Sequence, residues 1–283
     1  MPQWDFPGSE PIDVSTDLAS GRVTLNARPV TTTTVDVAPS RFSRNAEKLI
    51  DEVRVTFDHG RLEVTGPRRT SLFRGHAAFD VTITLPTGSR CMARTASADI
   101  TCDGDLAALE AHTASGDITA AKVTGHVQAE TSSGDIRLDE TGTAEIRTAS
   151  GDVRLTWARD DVTVRTASGD VNIAIAAGDV AGNTASGDFR VASVAKGSTE
   201  VSTASGDVTI GVNAGVGVYL DLSSATGSAY SQLEETGPSD DITLGVRART
   251  ASGDIRIIRA AAPEPSPASN DTSVPGIEST PAE

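Results

Sequence analysis

The sequence has few aromatic side chains and few residues that bind metals. Only 4% of its 283 residues are aromatic, and it contains two cysteines and four histidines. So few aromatic residues argue against a sugar-binding groove of the kind used by carbohydrate-active β-helix enzymes. The four histidines, at 59, 76, 112 and 126, lack the spacing of a metal site. We therefore predict no metal site and no cofactor.

Long apolar runs and an excess of positive charge are also missing. No stretch approaches the ~20 apolar residues of a membrane span, and residues 1–8 lack the basic and apolar regions of a signal peptide. The net charge of −15 argues against nucleic acid and anionic membranes as partners. We expect a cytoplasmic protein that binds another protein. In a reducing compartment, Cys91 and Cys102 are expected to be buried free thiols.

One pentapeptide recurs along the chain at a nearly fixed interval. The copies run from Thr to Asp and start at Thr95, Thr113, Thr131, Thr148, Thr166, Thr184, Thr203 and Thr250. The first seven starts are 18, 18, 17, 18, 18 and 19 residues apart, and the last gap of 47 holds a degraded copy at 224–228. A period of this length indicates a solenoid of stacked coils.

Within each period, apolar residues alternate on both sides of the pentapeptide. Ile136 and Leu138 follow one copy, and Val127 and Ala129 precede it. This alternation predicts two short strands per coil, joined by a corner in which Gly accepts unusual backbone angles. The fold class is therefore predicted to be all-β: a single-chain, flattened β-solenoid of ~18-residue coils that rise ~4.8 Å each. The inward Thr residues are expected to form a hydroxyl ladder.

We predict three regions along the chain. Residues 1–90 form N-terminal coils continuous with the solenoid, residues 91–260 form the regular repeats, and the Pro-rich residues 261–283 form a disordered tail. In the first region, residues 19–25 and 58–64 both echo the corner and its following strand. One short helix is expected after Ser43, where Ala46, Leu49, Ile50 and Val53 fall on one face and would cover an open end or side.

These motifs resemble a known family. The Thr-Ala-Ser-Gly-Asp repeats, the Asp-x-Gly-Arg-Leu-x-Val segment at 58–64 and the Phe-Asp-Val-Thr-Ile-x-Leu-Pro-x-Gly segment at 79–88 resemble the bacterial family of unknown function labelled "putative adhesin". Related members are described as toastrack-type β-repeat domains. The resemblance covers residues 10–260. It implies an all-β solenoid, linked to envelope-stress or regulatory systems, without an established catalytic residue.

The repeated Asp residues form the sharpest chemical feature. Stacked corners would align Asp99, Asp117, Asp135, Asp152, Asp170, Asp188 and Asp207, with Asp254 in the last copy. Neighbouring carboxylates ~5 Å apart repel by roughly 1 kcal/mol in water and ~3 kcal/mol at an effective dielectric constant near 20. Either calcium or backbone amides could offset this repulsion. We favour the amides, helped by arginines at 137, 147, 154, 165 and 190, because the calcium-binding β-roll repeats its ligands every nine residues.

Two further places are candidates for binding a partner. Trp157 is the only Trp in the repeat region, and Asp160 and Asp161 follow it. The lengthened C-terminal coils add an acidic segment with Glu234, Glu235, Asp240 and Asp241, and insertions in solenoids often form binding loops. Each could instead be structural: an exposed aromatic packing on its neighbour, or a solvated acidic turn.

The sequence thus predicts a non-catalytic scaffold or protein-interaction module, with no catalytic residue and no enzyme activity. The first alternative is a calcium-stabilised, adhesin-like module outside the cell. The second is a carbohydrate-active β-helix enzyme, which the missing aromatic groove disfavours.

Overall fold

A computed structural model describes residues 2–40, 43, 46–67, 77–234 and 242–260. These residues form 23 strands in one sheet, one α-helix and one 3-10 turn. The first elements are β1 (Gln3–Pro7), β2 (Asp13–Arg28), β3 (Thr32–Pro39), α1 (Ala46–Leu49), the 3-10 turn (Ile50–Glu52), β4 (Arg54–Asp58), β5 (Arg61–Thr65), β6 (Phe79–Pro86) and β7 (Arg90–Leu106). The regular coils contain β8 (Ala108–His112), β9 (Ile118–Val123), β10 (Val127–Thr131), β11 (Ile136–Thr141), β12 (Ala144–Ser150), β13 (Val153–Ala158), β14 (Val162–Ser168), β15 (Val171–Ala176), β16 (Val180–Ser186), β17 (Phe189–Val194), β18 (Gly197–Ser205) and β19 (Val208–Val212). The last strands are β20 (Gly217–Ser224), β21 (Ala229–Ser231), β22 (Ile242–Ser252) and β23 (Ile255–Arg259).

The strands form two parallel ladders, as the alternation predicted. Strands that precede a corner pair with one another from β8 through β10, β12, β14, β16, β18 and β22 to β20, and we call this ladder sheet A. Strands that follow a corner pair from β9 through β11, β13, β15, β17, β19 and β23 to β21, and we call this ladder sheet B. Strands β2 and β7 run through both ladders. The predicted β-solenoid is confirmed.

The order of the coils in the stack differs from their order in the chain at both ends. Strand β2 pairs with β7 on one side and with β5 and β6 on the other, so the first coil of the chain lies inside the stack. Strands β22 and β23 lie between the coil of β18 and β19 and the coil of β20 and β21. The final chain segment of the repeat region is therefore also an inserted coil.

Inward side chains from both sheets form one continuous core. It consists mainly of Val, Ile, Leu and Ala, with Phe79 and Phe189 as the largest fully buried side chains. Burying such apolar surface contributes ~25 cal/mol per Å² to stability. Cys91 and Cys102 belong to this core and are free thiols. Burial raises the pKa of Cys102 to about 12 and, together with Cys102, raises that of Cys91 well above its usual range.

The N-terminal region agrees with the predicted repeat in one segment and departs from it in another. Residues 19–25 lie in β2 and align with the first corner, with Ser20 opposite Ser97. Residues 58–64, however, are not a corner. His59 and Gly60 have φ angles of 47° and 76° and connect β4 to β5 as an antiparallel hairpin. Two successive residues with positive φ produce a tight hairpin turn, so the prediction of a corner here was wrong, whereas the strand predicted to follow it is present as β5.

The predicted helix is present but short. Only Ala46–Leu49 is α-helical, and Ile50–Glu52 continues as a 3-10 turn. Ala46 and Val53 are buried in the core. The hydroxyl of Ser43 accepts a hydrogen bond from the backbone amide of Ala78 at 3.2 Å, which ties this segment to the start of β6.

Antiparallel strands extend the stack at its N-terminal end. Strand β3 pairs with β6, β1 pairs with β3, and β4 pairs with β5.

No helix among the described residues is long and apolar enough to cross a membrane. The proposed disordered tail at 261–283 lies outside the described residues.

Candidate functional site

The stacked corners approach one another more closely than any side chain would allow. A Cβ added to Gly134 would lie 1.8 Å from the carbonyl oxygen of Gly116, and one added to Gly151 would lie 1.9 Å from that of Gly134. The same close approach recurs at Gly169, Gly187, Gly206, Gly253 and Gly227, with distances from 1.9 to 2.3 Å. Positive φ angles occur at only some of these corners. Glycine is therefore required mainly because backbone stacks on backbone, a reason that sequence reasoning missed.

The Asp residues form the predicted row, and backbone amides bridge it. The Oδ1 atom of each Asp accepts the amide of the residue at the same position in the next coil. The first of these bonds joins Oδ1 of Asp99 to the amide nitrogen of Asp117 at 3.2 Å. Along the rest of the row, the distance from each Oδ1 to the next amide nitrogen is 2.9 Å for Asp117–Asp135, 3.1 Å for Asp135–Asp152, 3.1 Å for Asp152–Asp170, 2.9 Å for Asp170–Asp188, 2.9 Å for Asp188–Asp207, 2.8 Å for Asp207–Asp254 and 3.0 Å for Asp254–Ser228. Hydrogen bonds to an ionised carboxylate are among the stronger ones in proteins. The row is therefore part of the solenoid's structure.

Arginines lie beside part of this row. Arg137 contacts Asp135 at 2.6 Å, and Arg256 contacts Asp254 at 2.8 Å and also Asp207. The backbone hydrogen bond from Asp254 and the side-chain bond from Arg256 lower the pKa of Asp207 below its ordinary value.

Not every predicted arginine takes part. Arg154 lies 3.9 Å from Asp152, but Arg147 pairs with Glu145 instead. Arg165 and Arg190 have no ion pair among the described residues. Arg147 and Arg165 do not contact the Asp row because they lie in sheet A, on the other side of the corner from these carboxylates.

The predicted ladder of Thr hydroxyls is wrong. The hydroxyl of Thr131 accepts the amide of Gly134 at 3.1 Å and donates to the carbonyl of Gly116 at 3.3 Å, so it bonds to two corners rather than to other hydroxyls. Ser224 of the degraded copy makes the equivalent pair of bonds. The buried hydroxyls of Thr148, Thr184 and Thr203 have no partner among the described residues. At Thr131 and Ser224, backbone groups of the corners are buried beside the hydroxyl and bind it in place of another hydroxyl.

The structure keeps the two predicted partner-binding places apart. Trp157 lies in β13, with 40% of its surface exposed, and the guanidinium of Arg159 stacks on it at 4.7 Å. This cation–π contact and the neighbouring Glu140 and Ile175 account for its position. Glu234 is exposed after β21, several coils away. Glu235, Asp240 and Asp241 lie outside the described residues.

A groove that sequence reasoning missed crosses the outer face of sheet A. It has a volume of about 490 Å³ and runs over β5, β2, β7, β8 and β10. Two of its rows can be read from the strand register: Arg61, Asp13 and Arg90 form one row, and Glu63, Ser15, Met92 and Glu110 form the next. A row with two cations and one carboxylate therefore lies beside a row with two carboxylates and no cation. We call this feature the sheet A groove.

Most charges in the sheet A groove are paired, but two are not. Arg90 bonds to Asp13 at 2.8 Å, and Arg94 bonds to Glu110 at 3.0 Å. Burial would raise the pKa of Glu110, but hydrogen bonds from Arg94 and His112 outweigh it, and the pKa is lowered. Arg61 and Glu63 have no ion-pair partner among the described residues. Both charges are exposed, and the Glu63 carboxylate accepts a hydrogen bond from the Thr65 hydroxyl at 3.5 Å.

The described residues contain no group of three or more His, Cys, Asp or Glu side chains arranged to hold a metal ion. The nearest approach is His112, whose two ring nitrogens lie 3.0 Å from Glu110 and 3.3 Å from Glu130. The contact between Nε2 and Glu110 is a hydrogen bond, so these contacts are accounted for without a metal ion.

Comparison with known families supports the resemblance drawn from the motifs. Residues 157–271 match the family model described as Toastrack DUF4097. The match begins at the end of β13 and extends past β23. The resemblance to a "putative adhesin" family of unknown function is thereby confirmed over this part of the chain.

Solved structures with a similar arrangement include three bacterial proteins. A structure from Bacteroides fragilis described as a "putative adhesin" is 12% identical, with a TM-score of 0.48, and the alignment covers 91% of this chain and 96% of that chain. One from Parabacteroides distasonis described as a "putative lipid binding protein" is also 12% identical, with a TM-score of 0.45 and the same coverage. Another from Parabacteroides distasonis, a "putative adhesin", is 13% identical, with a TM-score of 0.41 and coverage of 90% and 96%. No curated protein matches the chain.

Proposed function

We propose that this chain, which resembles the Toastrack family over residues 157–271, is a non-catalytic module that binds an extended segment of a partner protein in the sheet A groove. The observation that carries this proposal is the pair of adjacent charged rows across the groove. Arg61 and Glu63 are the exposed, unpaired ends of those rows. A segment that crosses the strands would place an acidic side chain against the first row and a basic one against the second, and such complementarity gives register and specificity.

The chemistry of the groove supports binding rather than catalysis. Its only thiol belongs to Cys91, whose pKa is raised well above the usual range by burial, so the reactive thiolate is scarce at neutral pH. Asp13 and Glu110 are already engaged by Arg90 and Arg94, so neither carboxylate is free to act on a substrate. Met92 contributes an adaptable apolar surface between them, which suits contact with a protein chain.

A charge reversal tests the groove. The Arg61→Glu variant should lose a partner that the wild-type protein retains in affinity purification from cells of its source. Arg190→Glu is a matched control, because Arg190 is also exposed and has no ion pair among the described residues but lies in sheet B. Loss of the same partner with both variants, or with neither, would contradict the assignment of the groove. Alanine substitution across residues 234–241 in the same assay tests the acidic segment as a separate binding surface.

The Asp row supports one second candidate, a module stabilised by calcium. Eight aligned carboxylates supply the oxygen ligands that calcium prefers. The amide bonds to every Oδ1 atom in the row favour the structural role instead. Melting curves with calcium and with a chelator distinguish the two, since a ligand that binds only the native state raises the melting temperature. We expect coincident curves; a shift of many degrees would establish the calcium-stabilised module.

We propose the cytoplasm as the compartment in which the module acts. Two buried cysteines that remain free thiols suit a reducing environment. Cell fractionation with detection of the intact protein tests this, and recovery in the culture medium or envelope fraction would favour the adhesin-like alternative.

A further inference from the structure

One histidine at the border of the sheet A groove lies between two carboxylates. The outward side chains of β7, β8 and β10 form a third row beside the two groove rows, and Arg94, His112 and Glu130 are neighbours in it. The Nε2 atom of His112 lies 3.0 Å from Oε1 of Glu110, which lines the groove. Its Nδ1 atom lies 3.3 Å from Oε2 of Glu130. Each ring nitrogen therefore lies next to a carboxylate oxygen.

This arrangement suits the charged form of the His112 ring. The imidazolium carries an N–H on each nitrogen, whereas the neutral ring has a single N–H and would direct a lone pair at one of the two carboxylates. Loss of the proton therefore weakens one of the two contacts and removes a positive charge next to Glu110. Histidine is the side chain that ordinarily changes its charge between about pH 5 and 8.

The groups around His112 come from both neighbouring strands and from the groove. The other charged side chains of its row are Asp17 on β2, Arg94 on β7, Glu130 on β10 and Arg147 on β12. The outward positions on the side away from the groove hold only small side chains, Ala96, Ala114 and Ser132. On the groove side, burial would raise the pKa of Glu110, but the hydrogen bonds from Arg94 and His112 lower it below its ordinary value. Glu110 is therefore an anion throughout the range in which histidines titrate.

A second histidine, His126, lines the groove but contacts no groove carboxylate. It immediately precedes β10, and its Nδ1 atom lies 3.0 Å from the hydroxyl of Thr143. His126 is therefore a matched control for the effect of His112.

We propose that His112 makes partner binding in the sheet A groove depend on pH, with tighter binding of a basic side chain of the partner once the imidazole is neutral. This inference rests on the proposed function of the groove. In the protonated form, Glu110 is contacted by two cations, Arg94 and His112, and an approaching basic side chain meets their positive charge. In the neutral form one of these charges is gone. Removing one such charge at a surface site should raise the affinity for a basic group by roughly three- to tenfold.

The methyl group of Met92 provides a direct reporter of this change. The chain contains only two methionines, and Met92 lies opposite Glu110 in the strand register. With the methionine methyl groups of the full chain labelled with carbon-13, the Met92 signal is followed by NMR from pH 5 to 8 without any ligand. It should shift through one transition in the wild-type protein. The transition should be lost in His112→Gln, which cannot titrate, and retained in His126→Gln.

A capped peptide then tests binding. The probe is N-acetyl-Asp-Ala-Arg-amide, whose acidic and basic side chains are two residues apart, as are Arg61 and Glu63 on β5. Neither of its side chains changes charge between pH 6 and 8. The wild-type protein and His126→Gln should bind it roughly three- to tenfold more tightly at pH 8 than at pH 6. His112→Gln should bind it equally at both pH values.

The possible failures separate the pH dependence from the groove itself. A Met92 transition that survives His112→Gln, binding by the wild-type protein that is equal or weaker at pH 8, or a pH dependence lost only in His126→Gln would refute the role of His112 and leave the groove as a binding site. Absence of binding at both pH values, or binding that Arg61→Glu does not weaken, would contradict the proposed function, and the pH dependence would fall with it. Circular dichroism establishes that each variant is folded, and His112→Asn serves as a second variant that cannot titrate.

Discussion

Replacing a single corner glycine with alanine should destabilise the whole stack. We choose Gly151→Ala, because the φ angle of Gly151 is not positive and the substitution therefore introduces no backbone strain of that kind. The added methyl group would lie 1.9 Å from the carbonyl oxygen of Gly134 and 3.2 Å from the hydroxyl of Thr148. Ordinary carbon–oxygen contacts need more than 3 Å, so the two coils must separate locally by about 1 Å or more.

The expected cost combines two effects. Overpacking in a rigid environment costs roughly 1–3 kcal/mol. Separation of the coils also lengthens the hydrogen bond from the amide of Asp152 to Asp135, now 3.1 Å, and a lost hydrogen bond costs about 1 kcal/mol. We therefore expect the free energy of unfolding to fall by about 2–4 kcal/mol.

Guanidinium denaturation followed by circular dichroism measures this loss. Gly245→Ala is the matched control, because Gly245 also has no positive φ and its added methyl group would meet nothing within 4 Å. The control should stay within about 0.5 kcal/mol of the wild-type protein or gain slightly, since alanine restricts the unfolded chain. A Gly151→Ala variant as stable as Gly245→Ala would refute the argument that backbone stacking fixes glycine in the corners.

Three further results are expected. Thr131→Val should lower the free energy of unfolding by about 1–2 kcal/mol, because it removes two hydrogen bonds, whereas Thr184→Val should be neutral or stabilising, since its hydroxyl has no partner; denaturant titrations that rank the two equally would contradict this. The pKa of Asp207 is lowered in the native state, so the stability that this carboxylate contributes is present above its ordinary pKa of 3.8 and is lost as the pH falls through the lower native value. The stability of Asp207→Asn should therefore fall less steeply with acidification than that of the wild-type protein, and an unchanged acid slope would count against the contribution of this carboxylate. Finally, Cys91 and Cys102 should react with a thiol reagent only after unfolding, because burial raises both pKa values; rapid labelling of the native protein would show that the core opens at β7.

The sequence predicted the stacking of the corners well because every coil places the same residue types at the same positions of its corner. Thr131, Gly134 and Asp135 each contact the backbone of the neighbouring coil, so the nearly constant interval between repeats follows directly from stacking. The order of the coils could not be predicted in the same way. A parallel ladder needs only matching length and alternation, and β2 satisfies those conditions against β5 and β6 as well as against β7.

The sheet A groove was missed for a related reason. Its side chains come from residues 13 to 128 and meet only because β2 is inserted between β5 and β7. Arg61, Asp13 and Arg90 lie far apart in the chain and belong to outward positions, which carry no periodic signal. The Thr ladder failed because the pattern places the hydroxyls in a column but does not say which buried groups lie nearest to them.

The inserted coils also determine how the molecule should respond to mechanical load. Strands β2 and β23 each have a ladder on both sides, so a force applied between residues 13 and 259 cannot peel the stack open from an outer edge. Extracting either coil requires the rupture of two sets of backbone hydrogen bonds, one on each side of the coil. Single-molecule pulling from these positions should therefore give one high-force event at each end before the remaining coils unravel in smaller steps.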